Sequence, residues 1–276
     1  MSATVGSAHH VAIPLRLRSA AVLVAASVAG LLMFVWPLLV RVRVDAPTLQ
    51  PPFVFLALLP VVILVCLAEF TEGGMDSKVL AMLGVLTAIN AVMRGLSAGL
   101  AGVELVFFLL ILGGRVFGPG FGFVLGCTSL FASALLTAGV GPWLPYQMLA
   151  SAWVGMGAGL LPRRVLGREV AGKAEIALLV VYGIVAAYAF GLVMNMSSWP
   201  YTLGIAVAGH SGGLSFVPGD PVVDNLHRFA VYTLLTSTGS WDTGRAITNT
   251  IALVVLGPAV LTTLRRAVRR ATVTRV

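Results

Sequence analysis

The segment Gly139-Val-Gly-Pro-Trp-Leu-Pro-Tyr-Gln-Met148 is a proline-containing turn between the last two of four apolar segments in residues 77–162. Its prolines interrupt helical hydrogen bonding, and its tryptophan and tyrosine are typical of a membrane surface. Four apolar segments in so short a stretch, joined by a turn of this kind, predict a bundle of membrane helices.

The composition of the whole chain also indicates a membrane protein. Hydrophobic residues make up 58% of the 276 residues and charged residues 10%, and the mean hydropathy is +0.99. Too few polar residues remain to cover a water-soluble globule. The apolar runs have the length of spanning helices, about 20 residues, and do not resemble the alternating segments of about 10 residues that build membrane barrels. The predicted fold is therefore an all-α, polytopic membrane protein.

Eight segments are predicted to span the membrane: residues 19–40, 53–70, 78–93, 96–113, 116–138, 143–161, 174–194 and 243–264. The apolar stretch 228–237 is too short to cross alone, so we expect an interfacial or re-entrant turn there. A polar joint at residues 71–76 divides the chain. Residues 1–71 are predicted to form a two-helix lead, and residues 72–276 a six-helix core.

Basic residues near the ends of spans predict the orientation, because Lys and Arg are retained on the cytoplasmic side. Both termini in the cytoplasm satisfy most of them, with Arg41, Arg43 and Arg94 as exceptions. The expected location is the plasma membrane. The net charge of +8 then mainly reflects the basic residues that set the orientation in the membrane. Because these residues flank spans, no nucleic-acid partner is expected.

Glu104 is the clearest acid within an apolar run, near the middle of segment 96–113. A charged group near the bilayer centre costs roughly 2.5 to 3.5 kcal/mol, so it needs a partner or a cavity. Two interpretations stay open at this point. Glu104 is either tied internally to Arg94 or Thr137, or it contacts a ligand or ion.

Further polar and aromatic residues near the outer ends of the predicted spans complete the candidate binding site: Asn90, Trp143, Tyr146, Gln147, Asn195 and Trp199. Carboxamides recognise polar solutes without charge, although each one alone is more often a contact between helices. The two aromatics of the proline-containing turn are also ordinary membrane-surface residues. Convergence on one outer mouth favours a small-molecule site.

Small residues repeat along one face of the segment 78–93, at Ala81, Gly84, Ala88 and Ala91. Such a face allows another helix to approach closely. The partner is either a helix of this chain or a helix of another protein.

Motifs for catalysis are missing from the sequence, which has no phosphate-binding loop, no His-Glu-x-x-His pair and no Cys-x-x-Cys pair. We therefore expect neither enzymatic activity nor a metal or other cofactor. Asp242 and Arg245 precede the last predicted span, and a local ion pair is the first interpretation for them.

Residues 76–266 resemble the substrate-binding S component of energy-coupling-factor vitamin transporters, in an actinobacterial-type branch. The resemblance rests on the run 78–94, the turn Gly113-Gly-Arg-Val-Phe-Gly-Pro-Gly-Phe-Gly122, the segment 141–148, and Gly257-Pro258 followed by arginines. It implies a subunit that captures a vitamin at its outer face, with cobalamin or another corrinoid as the first candidate and a smaller vitamin as the alternative. The helices predicted in residues 19–70 depart from the family pattern.

The same resemblance implies partners. The capture subunit would dock on a coupling transmembrane subunit through Ala81, Gly84, Ala88 and Ala91, and two cytoplasmic ATPases would drive transport. The alternative function is an ion-coupled secondary transporter or channel that works without ATPases and uses Glu104 for coupling. An enzyme acting on lipids is a third interpretation, but the sequence offers it no aligned set of catalytic groups.

Overall fold

The computed structural model describes residues 17–35, 38, 77–97, 102–201, 213–217 and 219–272. The predicted span 53–70 and the predicted boundary at residues 71–76 lie outside these ranges. The α-helices are α1 (Leu17–Phe34), α2 (Ser77–Ser97), α3 (Val106–Phe117), α4 (Pro119–Leu136), α5 (Leu144–Leu160), α6 (Lys173–Ser198), α7 (Val222–Thr233), α8 (Thr243–Val255) and α9 (Gly257–Thr272). A short hairpin, β1 (Arg164–Val165) and β2 (Arg168–Glu169), joins α5 to α6.

The all-α class is confirmed, and several helices are suited to a membrane. Within the described ranges, α1, α2, α4 and α6 are long and apolar enough to cross a bilayer. A fifth crossing results if residues 222–255 and the bent helix that follows them, α9, are counted together as one span. These helices support a membrane-embedded protein. The predicted number of spans, eight, is larger than the four or five that are both long enough and apolar enough in the described ranges.

The predicted span 96–113 is wrong. Residues Gly102 to Leu105 are not helical, and α3 begins only at Val106 and continues to Phe117. Gly102 has a φ of +74°, and a Cβ placed on it would lie 2.7 Å from the Cα of Gly244. The chain thus turns at Gly102 and packs directly on α8, so Glu104 lies before a helix and not in the middle of one.

The end of the chain also differs from the prediction. Residues 222–255 form one continuous rod in which a wide π-helical segment, Leu234–Asp242, joins α7 to α8. The rod breaks at Leu256, and α9 is bent away from it by 64°. Residues 228–237 are helical throughout and contain no turn, and the segment predicted as one span at 243–264 is broken at Leu256. The bent pair of helices has the form of a broken span or of a re-entrant loop. Hydroxyl groups of the π-helical segment bond to carbonyls one turn earlier, for example Thr236 Oγ1 to the Tyr232 oxygen at 2.7 Å, so polar residues continue the helix.

The short helix α3 lies at the centre of the bundle. All twelve of its residues are buried, and it packs against α4, α5, α8 and α9. It ends where Gly118 adopts a φ of +108° and Pro119 starts α4, a position at which proline loses no hydrogen bond. The central position of α3 places Glu104, just before its first residue, and Arg115, in its last turn, at the two opposite ends of the bundle.

Glycines allow α4 and α5 to approach each other backbone to backbone. A Cβ on Gly126 would lie 2.5 Å from the Cα of Ala152, and Gly122 faces Gly155 in equally close contact. Interfaces of this kind are common between membrane helices, where small residues permit dense packing. α1 rests on the outside of α5, with the Phe34 ring 5.0 Å from that of Tyr146 and the Trp153 indole donating to Ser27 at 3.0 Å.

Candidate functional site

Five polar side chains meet at one end of the bundle, which we call the Glu104 cluster: Arg94, Glu104, Gln147, Asp242 and Arg245. The strongest contact joins Arg245 Nε to Glu104 Oε2 at 2.7 Å, and Arg245 Nη1 also lies 3.1 Å from Asp242 Oδ1. Arg94 Nε is 3.8 Å from Glu104 Oε1. Four different parts of the chain therefore share one network of charges: α2, the turn before α3, α5 and the α7–α8 rod.

Arg245 is held from several sides. Its guanidinium carbon lies 4.7 Å from the ring centre of Phe190 and 5.4 Å from that of Phe107. An arginine over aromatic faces gains a cation–π attraction that grows when water is excluded. Two carboxylates and two rings thus stabilise the charge of Arg245, which is only 8% exposed.

The π-helical segment positions Asp242. Ser237 Oγ donates to Asp242 Oδ2 at 2.7 Å, and the two residues are five positions apart, which is one turn of a π-helix. Asp242 also packs so tightly against Gly191 of α6 that a Cβ there would overlap its carboxylate. Segments of this kind occur frequently at functional sites. Here the wider turn aims a buried carboxylate at Arg245.

Arg94 connects the charges to neutral polar groups. Its Nη2 donates to Gln147 Oε1 at 3.0 Å and its Nη1 to Ser133 Oγ at 3.0 Å. Its contact with Glu104 is the longest in the cluster, because Arg245 holds that carboxylate at shorter range. The guanidinium of Arg94 is partly exposed, at 21%, and is therefore the cation of this cluster most accessible to a solute.

Asn90 lies one helical turn before Arg94 on the same face of α2 and is completely buried. Neither its Nδ2 nor its Oδ1 has a hydrogen-bond partner within the described part of the chain. The next polar contact along this face is the pair of hydroxyls of Thr87 and Thr128 at 2.8 Å. A buried amide without partners costs roughly 1 to 3 kcal/mol, so the position favours a guest that can bond to it.

Two more buried hydroxyls, those of Ser129 on α4 and Ser151 on α5, also have no partner among the described residues. α4 packs on both α2 and α5, and a Cβ on Gly126 would lie 2.5 Å from the Ser151 carbonyl carbon. Ser129 lies four positions before Ser133 on α4, and Ser151 lies four positions after Gln147 on α5, so each is one helical turn from a residue that accepts a bond from Arg94.

The predicted site residues fall into more than one group. Glu104 and Gln147 do meet, through Arg94, and Asn90 lies on the same face of α2. Tyr146 is buried against Phe34 of α1. Trp143 is 52% exposed and donates to the Gly139 carbonyl at 3.2 Å, which fits a membrane-surface residue better than a ligand contact.

Asn195 and Trp199 belong to a separate group. Asn195 Nδ2 lies 3.5 Å from Thr233 Oγ1, and the fully buried Trp199 donates from Nε1 to the Leu214 carbonyl at 2.7 Å. The Trp199 ring packs on Phe216 and Phe229. Trp199 thus anchors the described part of the loop onto α7, and the mouth shared by all these residues stays a prediction.

The predicted docking face on α2 is exposed in part. Ala81, Gly84 and Ala88 are exposed, and a Cβ on Gly84 would meet nothing within 4 Å. Ala91 is fully buried inside the bundle, so its inclusion in the docking face is corrected.

A second buried ion cluster lies at the opposite end of the bundle, which we call the Arg115 end. Arg115 Nε lies 2.7 Å from Glu175 Oε1, and Arg265 Nη2 lies 2.6 Å from the same oxygen. Arg163 Nη2 donates to the Arg115 carbonyl at 2.6 Å. Burial and the neighbouring Arg115 lower the pKa of Arg163, against the opposing effect of Glu175.

The sequence indicated Arg115 only as a flanking cation and did not indicate its pairing with Glu175. The signal available was one acid and one base, each close to the end of an apolar segment. Because 60 positions separate the two residues, local patterns could not join them.

An apolar groove of about 400 Å³ lies between α1 and α5. Its lining includes Leu23, Val28, Leu31, Trp153 and Met156, and none of its residues belongs to the Glu104 cluster. An apolar groove facing a bilayer accommodates acyl chains, whereas recognition of a polar solute requires polar groups. The Glu104 cluster with Asn90 is therefore the better candidate site.

Among the described residues, no group of three or more His, Cys, Asp or Glu side chains is arranged to hold a metal ion. Comparison of the chain with protein-family models, with curated proteins and with solved structures finds no match.

Proposed function

We propose that this protein is the substrate-capture subunit of an ATP-driven importer of the energy-coupling-factor type, a membrane protein that binds a vitamin or related micronutrient. The observation that carries the proposal is the buried Asn90 amide, which has no hydrogen-bond partner among the described residues and lies one turn from the Arg94–Gln147 contact. A polar solute that entered at Arg94 would satisfy this amide. The site combines carboxamide, hydroxyl and guanidinium groups with the paired carboxylates of Glu104 and Asp242, a set suited to holding a polar solute.

Two further features support the proposal. After residue 76 the described chain forms the helices α2 to α6 and the α7–α8 rod, with α9 bent from the end of that rod. Counting α9 with the rod gives six units, the number in a six-helix capture subunit. The exposed face of Ala81, Gly84 and Ala88 would receive a helix of the coupling subunit. In this proposal the Glu104 cluster faces outward, the Arg115 end faces the cytoplasm, and both termini lie inside a plasma membrane. Cobalamin or another corrinoid is the first candidate solute.

The test is purification from the native membrane in mild detergent, followed by mass spectrometry of bound proteins and bound small molecules. We expect a coupling membrane subunit, two ATPases and a vitamin-like solute. Uptake should require the ATPases and continue when the ion gradient is collapsed. Uptake by the purified chain alone in liposomes would overturn the proposal.

A second candidate function is ion-coupled transport, and the Glu104–Arg245–Asp242 contacts favour it. Buried acids paired to one arginine are typical of proton or cation relays in carriers. In that case Glu104→Gln should abolish uptake driven by an ion gradient. For a capture subunit driven by ATPases, the same substitution should leave uptake independent of the gradient.

A further inference from the structure

Positive charge is concentrated at the Arg115 end. Among the described residues, the cations there include Arg18, Lys78, Arg115, Arg163, Arg164, Arg168, Lys173, Arg265, Arg266 and Arg269, against the carboxylates Glu169 and Glu175. The Glu104 end has one more acid than base among its Arg, Lys, Asp and Glu side chains, with Arg94, Arg228 and Arg245 against Glu104, Asp220, Asp224 and Asp242. Glu175 pairs with Arg115 and Arg265, while Arg164, Arg168 and Arg266 are exposed at the surface of this end.

The β1–β2 hairpin presents an apolar tip within this basic region. Leu166 is 99% exposed and Val165 is 48% exposed, while Arg164 and Arg168 flank them and are also exposed. The turn holds Leu166 at a φ of +51°, a region that a leucine rarely occupies. An apolar side chain flanked by cations is suited to the boundary between lipid headgroups and acyl chains.

The hairpin is fixed to the bundle and is not a loose loop. The Val170 amide donates to the Arg163 carbonyl at 2.9 Å, which closes the base of the hairpin. The Arg163 side chain then bonds to the Arg115 carbonyl at the end of α3. The exposed tip therefore has a defined position relative to the membrane helices.

Helix α9 adds a second basic surface at the same end. Leu261 and Leu264 pack into the core, and Arg265 binds Glu175. These contacts leave Arg266 and Arg269 on the exposed side of the helix. The 64° bend before α9 directs it away from the axis of the preceding rod.

We propose that the β1–β2 hairpin and the exposed face of α9 form a docking surface for anionic lipid headgroups. Leu166 enters the headgroup boundary, and Arg164, Arg168, Arg266 and Arg269 pair with lipid phosphates. Lys78 and Lys173 lie in the first turns of α2 and α6, which are apolar enough to span a bilayer. The basic surface therefore lies at the level where these helices enter the membrane, and this position favours lipid headgroups over an acidic protein. This inference does not depend on the proposed transport function.

The experiment uses the full chain in neutral detergent, titrated with phosphatidylglycerol or phosphatidylcholine, with bound lipid counted by native mass spectrometry. We expect preferential binding of phosphatidylglycerol. Each cation near a membrane surface adds to the free energy of binding to anionic lipid. Removing two of them, in Arg164→Gln with Arg168→Gln, should therefore weaken the binding of phosphatidylglycerol roughly thirtyfold. Leu166→Ser should weaken the binding of both lipids by a smaller factor, while Arg228→Gln, at the opposite end, should change nothing.

Several results would overturn the inference. Equal binding of the two lipids by the unmodified protein would exclude a preference for anionic headgroups. An undiminished preference in the double arginine variant, with unchanged thermal unfolding in phosphatidylcholine, would place the lipid elsewhere. Displacement of phosphatidylglycerol by millimolar inorganic phosphate, or tighter binding of polyglutamate than of the lipid, would identify a phosphate or acidic-protein site instead.

Discussion

Glu104 and Arg245 are 141 positions apart in the chain, and their side chains meet at 2.7 Å between Oε2 and Nε. The Asn249 amide adds a bond of 2.7 Å to the Glu104 carbonyl. Together these contacts fix the turn before α3 onto α8. The ion pair is thus a structural link between two parts of the bundle as well as part of the candidate site.

Removing the Glu104 carboxylate should destabilise the protein. In Glu104→Ala, Arg245 stays buried with Asp242 as its only remaining carboxylate partner among these groups, and breaking a buried pair costs roughly 3 kcal/mol. Thermal and chemical unfolding in detergent measure the change. The double variant Glu104→Ala with Arg245→Met should be more stable than the sum of the single changes predicts. Strict additivity would show that the two side chains are not coupled.

Replacing Asn90 should separate stability from binding. Asn90→Leu removes a buried amide that no described residue bonds to, so the free energy of unfolding of the empty protein should stay the same or rise, by at most about 3 kcal/mol. The solute that copurifies with the protein should be lost. Thr128→Val is the matched control: it breaks the bond to Thr87 and should cost about 1 kcal/mol. A destabilised Asn90→Leu protein would contradict the prediction.

Gln147 and Trp143 should differ in their effect on solute binding, although they are neighbours in one turn. Gln147→Ala leaves Arg94 Nη2 without this acceptor and should weaken binding about five- to a hundredfold. Trp143→Ala should leave affinity unchanged, since the exposed ring bonds only locally, to Gly139. Equilibrium binding of cobalamin and of smaller vitamins, with thermal unfolding in parallel, tests both. Equal losses in the two variants would place Trp143 in the site.

Bulky residues on the exposed small face of α2 should prevent assembly with a coupling subunit. Gly84→Leu with Ala88→Leu should abolish copurification of the partner without changing the melting temperature, because Gly84 has open space around it. Val85→Leu with Ile89→Leu changes exposed neighbours on the same helix and should leave the complex intact. A complex that survives the first pair of changes removes this face from the interface.

Two Gly→Ala substitutions should have opposite effects on stability. Gly126→Ala places a Cβ 2.5 Å from the backbone of Ala152 and should cost about 1 to 3 kcal/mol as α4 and α5 separate. Gly84→Ala meets no atom and should stabilise α2 by up to about 1 kcal/mol. Unfolding of the two variants under identical conditions gives the comparison. A neutral Gly126→Ala would show that the α4–α5 contact can relax freely.

Several features of the protein could be predicted from local sequence. The spans predicted at 78–93, 116–138, 143–161 and 174–194 correspond to α2, α4, α5 and α6, within a few residues at each end. The Asp242–Arg245 ion pair was also predicted and is confirmed, although it is buried. Each of these features depends on residues within one helical segment, and hydropathy and spacing report on such segments directly.

The partners of Glu104 show where local reasoning fails. Arg94, ten positions away, was predicted as one possible tie and lies at 3.8 Å, but the closer partner is Arg245. The π-helical segment was missed for a related reason. Its polar residues lower the local hydropathy, while their bonds to helix carbonyls keep the backbone helical.

The sequence by itself determined that this protein is suited to a membrane and that it is helical. The balance of apolar and charged residues fixes how much surface must avoid water, and the length of the apolar segments fits helices. Tertiary structure alone decided which polar groups meet. It joined Glu104 to Arg245 and Arg115 to Glu175, and within the described ranges it gave the Asn90 amide no hydrogen-bond partner. Such pairings depend on how helices pack across long separations in the chain, and that packing follows from the shapes of all the faces together, such as the glycines that let α4 and α5 touch.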